Sequence, residues 1–484
     1  MESQVVEGAP TRPAAPPMQV AELMSAIAAQ LDADYPSLDA LYKDIHANPE
    51  LPFQEVRTAA KLAGLMRELG LEVTENVGGA GVVAVLRNGD GPTVMVRTEM
   101  DGLPIEEQTG LPYASSARSR WLGDEVSVMH SCGHDIHMAC WVGAARALVR
   151  LKDAWSGTLV FIAQPAEEAG AGAKAMLEDG FIERFGKPDF GFALHVAPIP
   201  AGVVAYKGGV FSSFADGLDL TFNGRGGHGS MPQGTIDPIM MASRFVVDVQ
   251  SVVSREIDPF AFGVVSMGAI QGGAAGNVIP ACCRLHGTIR SFDQAVRTQL
   301  ISGVERTARA VATMAGAPEP EITIREGAKA VVNDEALTTS TGVIFRAAFG
   351  DRAVLMPRPM SASEDYSEFI EAGVPSNFFF IGGFDGEALN AARARGEPSP
   401  MPHTSTYAPT PEPTIRTGVT AMSCGVPTRP LGLPRPTRSQ STPSVSPRKP
   451  TPVDSIQVGK GPSAMTLTRM RSLVRCAARK RLRW

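Results

Sequence analysis

Long apolar runs are missing from this chain: no stretch approaches the roughly 18–20 unbroken apolar residues of a membrane span. The first residues, MESQVVEGAPTRPAAPPMQ, also lack the basic start and apolar core of a secretory signal. These absences exclude a membrane-spanning reading and leave a cytoplasmic location as the expectation. Cysteine is sparse, with six among 484 residues. A chain of this length needs no disulfide staples, so Cys132, Cys140, Cys282, Cys283, Cys424 and Cys476 read as thiols or ligands. Positive charge is not in excess either. A formal net charge of -5 argues against nucleic-acid binding by the chain as a whole.

Hydrophobic residues at 44% and charged residues at 20% are the balance of a soluble globular protein with a sizeable core. The length suggests two or three domains. Residues 1–20 are rich in Pro and Ala and read as a disordered leader. Residues 21–213 open with two helical patterns, the second ending at Gly70, and continue as apolar strands alternating with helices. Strands such as GVVAVLRNG and TLVFIAQ are nearly continuous apolar runs, which indicates an α/β sheet covered on both faces. Over residues 214–328 the order becomes β-α-β-β-α-β, a two-layer α+β unit with an antiparallel sheet. It has the position of an insertion, because α/β elements resume over residues 329–422. Residues 423–484 carry 13 Lys and Arg against the single acid Asp454, with nine prolines, so this segment reads as a disordered basic tail. A tether for an anionic surface is the alternative to a merely solvated run.

Three apolar strands run into residues that bind metal or handle protons. TVMVR leads to Glu99 and Asp101, LVFIAQPA to Glu167 and Glu168, and FGFAL to His195. Open α/β sheets build their sites beyond the carboxyl ends of strands. The cluster MHSCGHDIHMAC adds His130, Cys132, His134 and His137 within eight residues, with Gly133 permitting a tight turn. Thiolate, imidazole and carboxylate together are the donor set of zinc and other first-row divalent ions. A lone Cys or His is more often a core residue; four of them beside three acidic strand ends favour a metal. Glu167 and Glu168, as neighbours in an extended segment, would point different ways, one to metal and one to the attacking water.

MVRTEMDGLP, MHSCGHDIHMA, QPAEEAGAGAKAM, ALHV, GRGGHGSMP, NVIP, GTIRSF, ASEDYSEF and PHTSTYAP occur in the order found in the peptidase M20 family. Over residues 25–422 the chain resembles its aminoacylase, hippurate-hydrolase and auxin-conjugate amidohydrolase branch. The resemblance implies a zinc-peptidase-like catalytic domain interrupted by a ferredoxin-like lid through which two chains pair as a homodimer. It also implies a site for two divalent ions (Zn, Mn, Co or Ni) on Cys132, His134, Glu168, His195 and His403, with Glu167 as general base and Asp101 intact beside it. His228 matches a lid histidine that reaches an active site, often that of the other subunit. Asn277 and Arg290 match lid positions that hold the substrate carboxylate or polarise its carbonyl. The branch usually has Asp where Glu99 stands, and its last apolar helix is here interrupted after TGVTAMS by Cys424-Gly425-Val426-Pro427.

The function expected is metal-dependent hydrolysis of the amide bond in an N-acyl amino acid or a similar small conjugate, with no nucleic-acid or membrane partner. Dipeptidase or aminopeptidase action is the alternative within the family. A non-catalytic binding protein on the same fold is the alternative outside it, and the retained Glu167 and metal-type residues weigh against that.

Overall fold

A strand that is apolar at nearly every position is stable only with both faces covered. The computed structural model, which describes residues 20–425, places the apolar segments GVVAVLRN and GTLVFIAQ inside one eight-stranded sheet. The expectations for residues 1–19 and 426–484 lie outside the described residues.

The chain enters through helices α1 (Val20–His46) and α2 (Val56–Glu68) and forms strands β1 (Glu72–Val77), β2 (Gly81–Asn88) and β3 (Thr93–Glu99). A hairpin of β4 (Arg118–Trp121) and β5 (Asp124–Ser127) precedes α3 (His134–Arg150) and β6 (Gly157–Gln164). Next come α4 (Gly172–Glu178), α5 (Phe181–Phe185), β7 (Phe190–Pro200), β8 (Val204–Tyr206) and β9 (Gly209–Val210).

A second unit then interrupts the first. It comprises β10 (Phe214–Asn223), β11 (Gly227–His228), α6 (Pro238–Asp248), β12 (Gly263–Gly272), β13 (Val278–Ile279), β14 (Cys282–Ser291), α7 (Gln294–Met314) and β15 (Glu321–Glu326). Its antiparallel sheet has the order β12-β14-β10-β15. Leu218, Leu220 and Phe222 of β10 alternate with outward residues and pack with Met241 and Phe245 of α6 and Leu300 and Val304 of α7. Asp237 and Asp293 cap these two helices by accepting two backbone N–H groups each.

The chain returns through β16 (Val332–Asn333), α8 (Glu335–Phe349), β17 (Ala353–Leu355), α9 (Ser367–Glu371), β18 (Ser376–Phe384), α10 (Gly386–Ala394) and α11 (Pro411–Gly425). The large sheet runs β1-β2-β6-β3-β7-β18-β8-β17, with β6, β3, β7 and β18 mutually parallel at its centre. Alternation along the strands assigns the layers. Leu159 and Phe161 of β6 and Val96 of β3 face the helices carrying Tyr42, Trp141 and Val419. Val160, Ile162 and Met95 face the opposite layer, with Phe181 and Phe369.

Three local readings are corrected. The break in composition expected at residue 423 falls inside α11, whose Ser423, Cys424 and Gly425 are buried, Cys424 beside Leu23 and Ile27. His195 lies within β7, not beyond its end, because the strand continues to Pro200. Glu167 and Glu168 lie in a turn instead of an extended segment, since β6 stops at Gln164 and Ala166 takes a left-handed φ of 50°.

Candidate active site

The parallel register of β3 and β6 pairs Glu99 with Gln164, so the segments that follow, carrying Asp101 and the Glu167-Glu168 turn, leave the sheet side by side. Asp101 joins them: its Oδ2 accepts the backbone N–H of Glu168 at 2.9 Å. The N-terminus of α3 reaches the same place through Gly133, whose φ is 85°. An added Cβ there would overlap Cγ1 of Val196 on β7, so glycine is required where Cys132 and His134 diverge. His403 comes from the loop before α11, in a left-handed conformation (φ 64°) anchored by its N–H donating to the Ser131 carbonyl at 2.8 Å.

These elements bring metal-type atoms together. The ligand atoms of Cys132, His134 and Glu168 all lie within 4.8 Å of one another, as do those of Glu99, His134, His137 and His195. Cys132 Sγ is 3.3 Å from His195 Nε2, and His403 Nε2 is 3.2 Å from Glu168 Oε1. His134 Nε2 stands 3.9 Å from Glu167 and 4.0 Å from Glu168. Donors tetrahedrally sharing one ion at about 2.0–2.3 Å are roughly 3.3–3.8 Å apart, so this spacing suits a cation.

Hydrogen bonding assigns the tautomers. His134 Nδ1–H donates to the Asp101 carbonyl at 2.8 Å and His195 Nδ1–H to the Val196 carbonyl at 2.7 Å. In their neutral forms both imidazoles therefore turn an Nε2 lone pair toward the cluster. His137 is the reverse. Its Nε2 accepts the Val196 N–H at 2.8 Å, which puts the proton on Nδ1, 3.0 Å from Glu99 Oε1. His137 Nδ1 has no free lone pair for a metal, so proximity alone overstates its place in the ligand cluster.

Glu99, Asp101, Glu364 and Asp365 are buried, and Glu167 and Glu168 nearly so. Arg97, also buried, pairs with Glu99, Glu364 and Asp365 at 3.0, 2.7 and 3.3 Å and offsets part of this charge. Burial, then the charges of Glu364 and Glu168, push the Glu167 carboxyl well above the usual range. Burial, then Glu168, Glu167 and Glu99, push the Cys132 thiol up as well. Burial lowers His134, but Asp101 and Glu99 outweigh it and raise the imidazole to about 10, so a cation bound at Nε2 would displace a proton there. Glu99 Oε2, Asp101 Oδ1 and His134 Nε2 are buried without a hydrogen-bond partner. Such orphans are rare in folded proteins. Excess buried carboxylate, a thiol and free imidazole lone pairs are the surroundings that bound cations would neutralise, so these residues fit divalent metal.

The inserted unit is different. His228 lies on β11 and Asn277 in the turn just before its partner β13, both exposed, and the Gly229 N–H donates to the Asn277 carbonyl at 2.8 Å. Among the described residues, neither makes a hydrogen bond or ion pair with the crevice. Arg290 does reach across: its guanidinium donates to Ser363 Oγ at 2.9 Å, next to Glu364.

Sequence reasoning gave no role to Arg97, Glu364, Asp365 or Glu55. Arg97 carried a signal, being a charged residue inside an apolar strand. Glu364 and Asp365 lie in the quoted ASEDYSEF, but their approach to Glu167 comes from a distant segment.

A mixed sheet whose central strands lead to a crevice of thiol, imidazole and carboxylate has the donor set of a metal-binding enzyme. Residues 95–396 match peptidase family M20/M25/M40. The hippurate hydrolase of Campylobacter jejuni is 38% identical over 333 residues, 68% of this chain and 83% of the relative. The N-acetyl-L-cysteine deacetylase of Bacillus subtilis is 34% identical over 348 residues, covering 71% and 80%. Among solved structures, a Bacillus subtilis protein described as a dinuclear metal-binding peptidase from the M20 family superposes with a TM-score of 0.65 at 27% identity, covering 82% of this chain and 98% of that one. The chain belongs to peptidase family M20, in its amidohydrolase branch, and is a hydrolase of amide bonds. No helix among the described residues is long and apolar enough to cross a membrane.

Proposed function

We propose that the protein hydrolyses the amide bond of N-acyl amino acids or related small conjugates. The observation that carries this reading is the mutually facing set of Cys132, His134 and Glu168 ligand atoms, His134 Nε2 among them buried without a hydrogen-bond partner, with Glu167 at its rim. Relatives named for hippurate and N-acetyl-L-cysteine support a small acylated substrate. Two divalent ions (Zn, Mn, Co or Ni) held by Cys132, His134, Glu168, His195 and His403 would supply Lewis-acid polarisation of the amide carbonyl and a more acidic water.

The residues of the chain do the rest. Glu167, whose proton affinity is raised by burial and by Glu364 and Glu168, takes the proton of the attacking water and delivers it to the leaving amine. Asp101 holds the Glu168 N–H and the His134 ring, keeping base and ligands in register. Cys132 serves as a ligand, not a nucleophile, and no covalent intermediate with the chain forms. We read the inserted unit as a ferredoxin-like lid through which two copies pair, bringing His228 to an active site. Both the N–H and the hydroxyl of Ser230 contact His228 Nδ1, at 3.1 and 2.8 Å, which leaves Nε2–H as a free donor for the tetrahedral oxyanion. Asn277 assists at that oxygen, and Arg290 holds the substrate carboxylate.

The test is a panel of N-acetyl, N-benzoyl and N-indoleacetyl amino acids, alongside unblocked dipeptides, assayed with each metal restored to apoprotein. Cleavage of an acylated member above the dipeptides is expected. Turnover of dipeptides alone would replace this reading with the peptidase one.

A further inference from the structure

Glu167 and Glu168 depend on a strained backbone position. Ala166 is a non-glycine residue at φ 50°, a conformation that persists only where its surroundings hold it. Its carbonyl accepts the N–H groups of Ala171 and Gly172 at 3.3 and 3.2 Å. Its own N–H donates at 2.8 Å to Oε1 of Glu55, a fully buried carboxylate that arrives from the start of α2, 111 positions away in the chain. The other end of the turn is held by a second carboxylate, Asp101, at the Glu168 N–H.

The ordinary duty of an acid at a helix start is to cap the helix, and Glu55 does not perform it. It makes no side-chain cap bond, and the free N–H groups of Arg57 and Thr58 are taken by Glu50 at 3.0 and 2.8 Å. Glu55 Oε2 is buried without a partner. A carboxylate so placed is costly to bury, and packing alone would be better served by an apolar side chain.

We propose that Glu55 is a positioning residue for Glu167, its carboxylate fixing the left-handed turn at Ala166 from which the base and its neighbour project. The proposal rests on the reading of Glu167 as general base. Without the acceptor at Glu55 the turn relaxes, and displacement of a catalytic group by about 1 Å can cost on the order of 10²-fold in rate.

Glu55→Met keeps length and removes the acceptor; Glu55→Gln keeps an oxygen at the same place. The metal-loaded enzyme should lose about 10- to 100-fold in kcat on Glu55→Met, with KM and metal count by mass spectrometry unchanged and the acid limb of the kcat profile displaced. Glu55→Gln should recover most of that loss. Retention of kcat by Glu55→Met, whatever its melting temperature, overturns the proposal, as does a loss explained by missing metal or shared equally by Glu55→Gln. Should Glu55→Met not fold, Glu55→Asp, one methylene too short to reach Ala166, must lose more kcat than Glu55→Gln at equal metal content; equality overturns it. Glu167→Gln is measured in parallel. If that variant stays active, the reading of Glu167 has failed; if it is inactive while Glu55→Met is not, only the present inference has.

Discussion

His134 and His228 show how differently the two units prepare the same side chain. In the crevice beside β3 and β6, His134 is buried and its Nδ1–H is committed to the Asp101 carbonyl, leaving Nε2 to face the carboxylates. On the inserted unit, His228 is exposed, and its Nδ1 accepts from Ser230, leaving a proton on Nε2. On the proposed reading, one would bind a cation and the other would donate a hydrogen bond. The rigid sheet concentrates negative charge, which needs cations and precise backbone support. The inserted unit carries donors in the open, where they can meet a substrate or another subunit.

The largest effect that would sharpen this contrast lies within the crevice. Glu167→Gln should retain its metals and bind substrate yet lose about 10²–10⁴ in turnover, the contribution of positioned proton transfer. Glu168→Gln should lose metal first, with activity partly restored by excess metal. Metal counting alongside turnover separates them, and metal loss from the Glu167 variant would exchange the two roles.

On the inserted unit, His228→Ala should lower kcat by roughly 10²–10³, the scale of removing one oxyanion donor, with metal content unchanged. A change in metal content would move His228 into the same category as His134 and dissolve the comparison. No effect on kcat would leave it a surface histidine.

A third histidine gives the smallest effect on turnover and a clear one on stability. His46 of α1 lies buried between Asp135 at 2.6 Å and Glu107 at 3.0 Å. Burial alone would lower it, but hydrogen bonds to Asp135 and Glu107 raise it from 6.5 to about 10. Because the folded value lies above the unfolded one, its stabilisation is fully present below pH 6.5 and is lost as pH rises through about 10. His46→Gln should therefore cost about 3–5 kcal/mol at pH 6, the scale of breaking a buried ion pair, and progressively less toward pH 10. Denaturant midpoints across that window, with metals held saturating, would show the two curves converging. Parallel curves would mean that His46 is not charged in the fold.

Much of this was legible in residue order. Continuous apolar strands gave a doubly covered sheet because burial on both faces leaves no polar position, and TVMVR, LVFIAQPA and FGFAL pointed to the acids and imidazole that follow them. The element order β-α-β-β-α-β after residue 213 suggested an insertion, and the antiparallel sheet there buries one face of its strands against helices. Donor chemistry singled out His130, Cys132, His134 and His137, and the resemblance to the M20 family added Glu168 to Cys132 and His134.

What the sequence determined by itself was the inventory: which side chains can bind metal or move protons, and on which strands they ride. Tertiary structure alone decided their states. His134 and His137 are three residues apart and chemically identical, yet contacts with Asp101 and Val196 engage Nδ1 of one and Nε2 of the other, so different nitrogens face the cluster. Glu167 and Glu168 are adjacent and identical, and the turn that carries them is bonded at the Ala166 N–H by Glu55 and at the Glu168 N–H by Asp101, from two distant segments. A proton's location depends on the partner a nitrogen or oxygen meets in space, and that partner is set by packing across the chain.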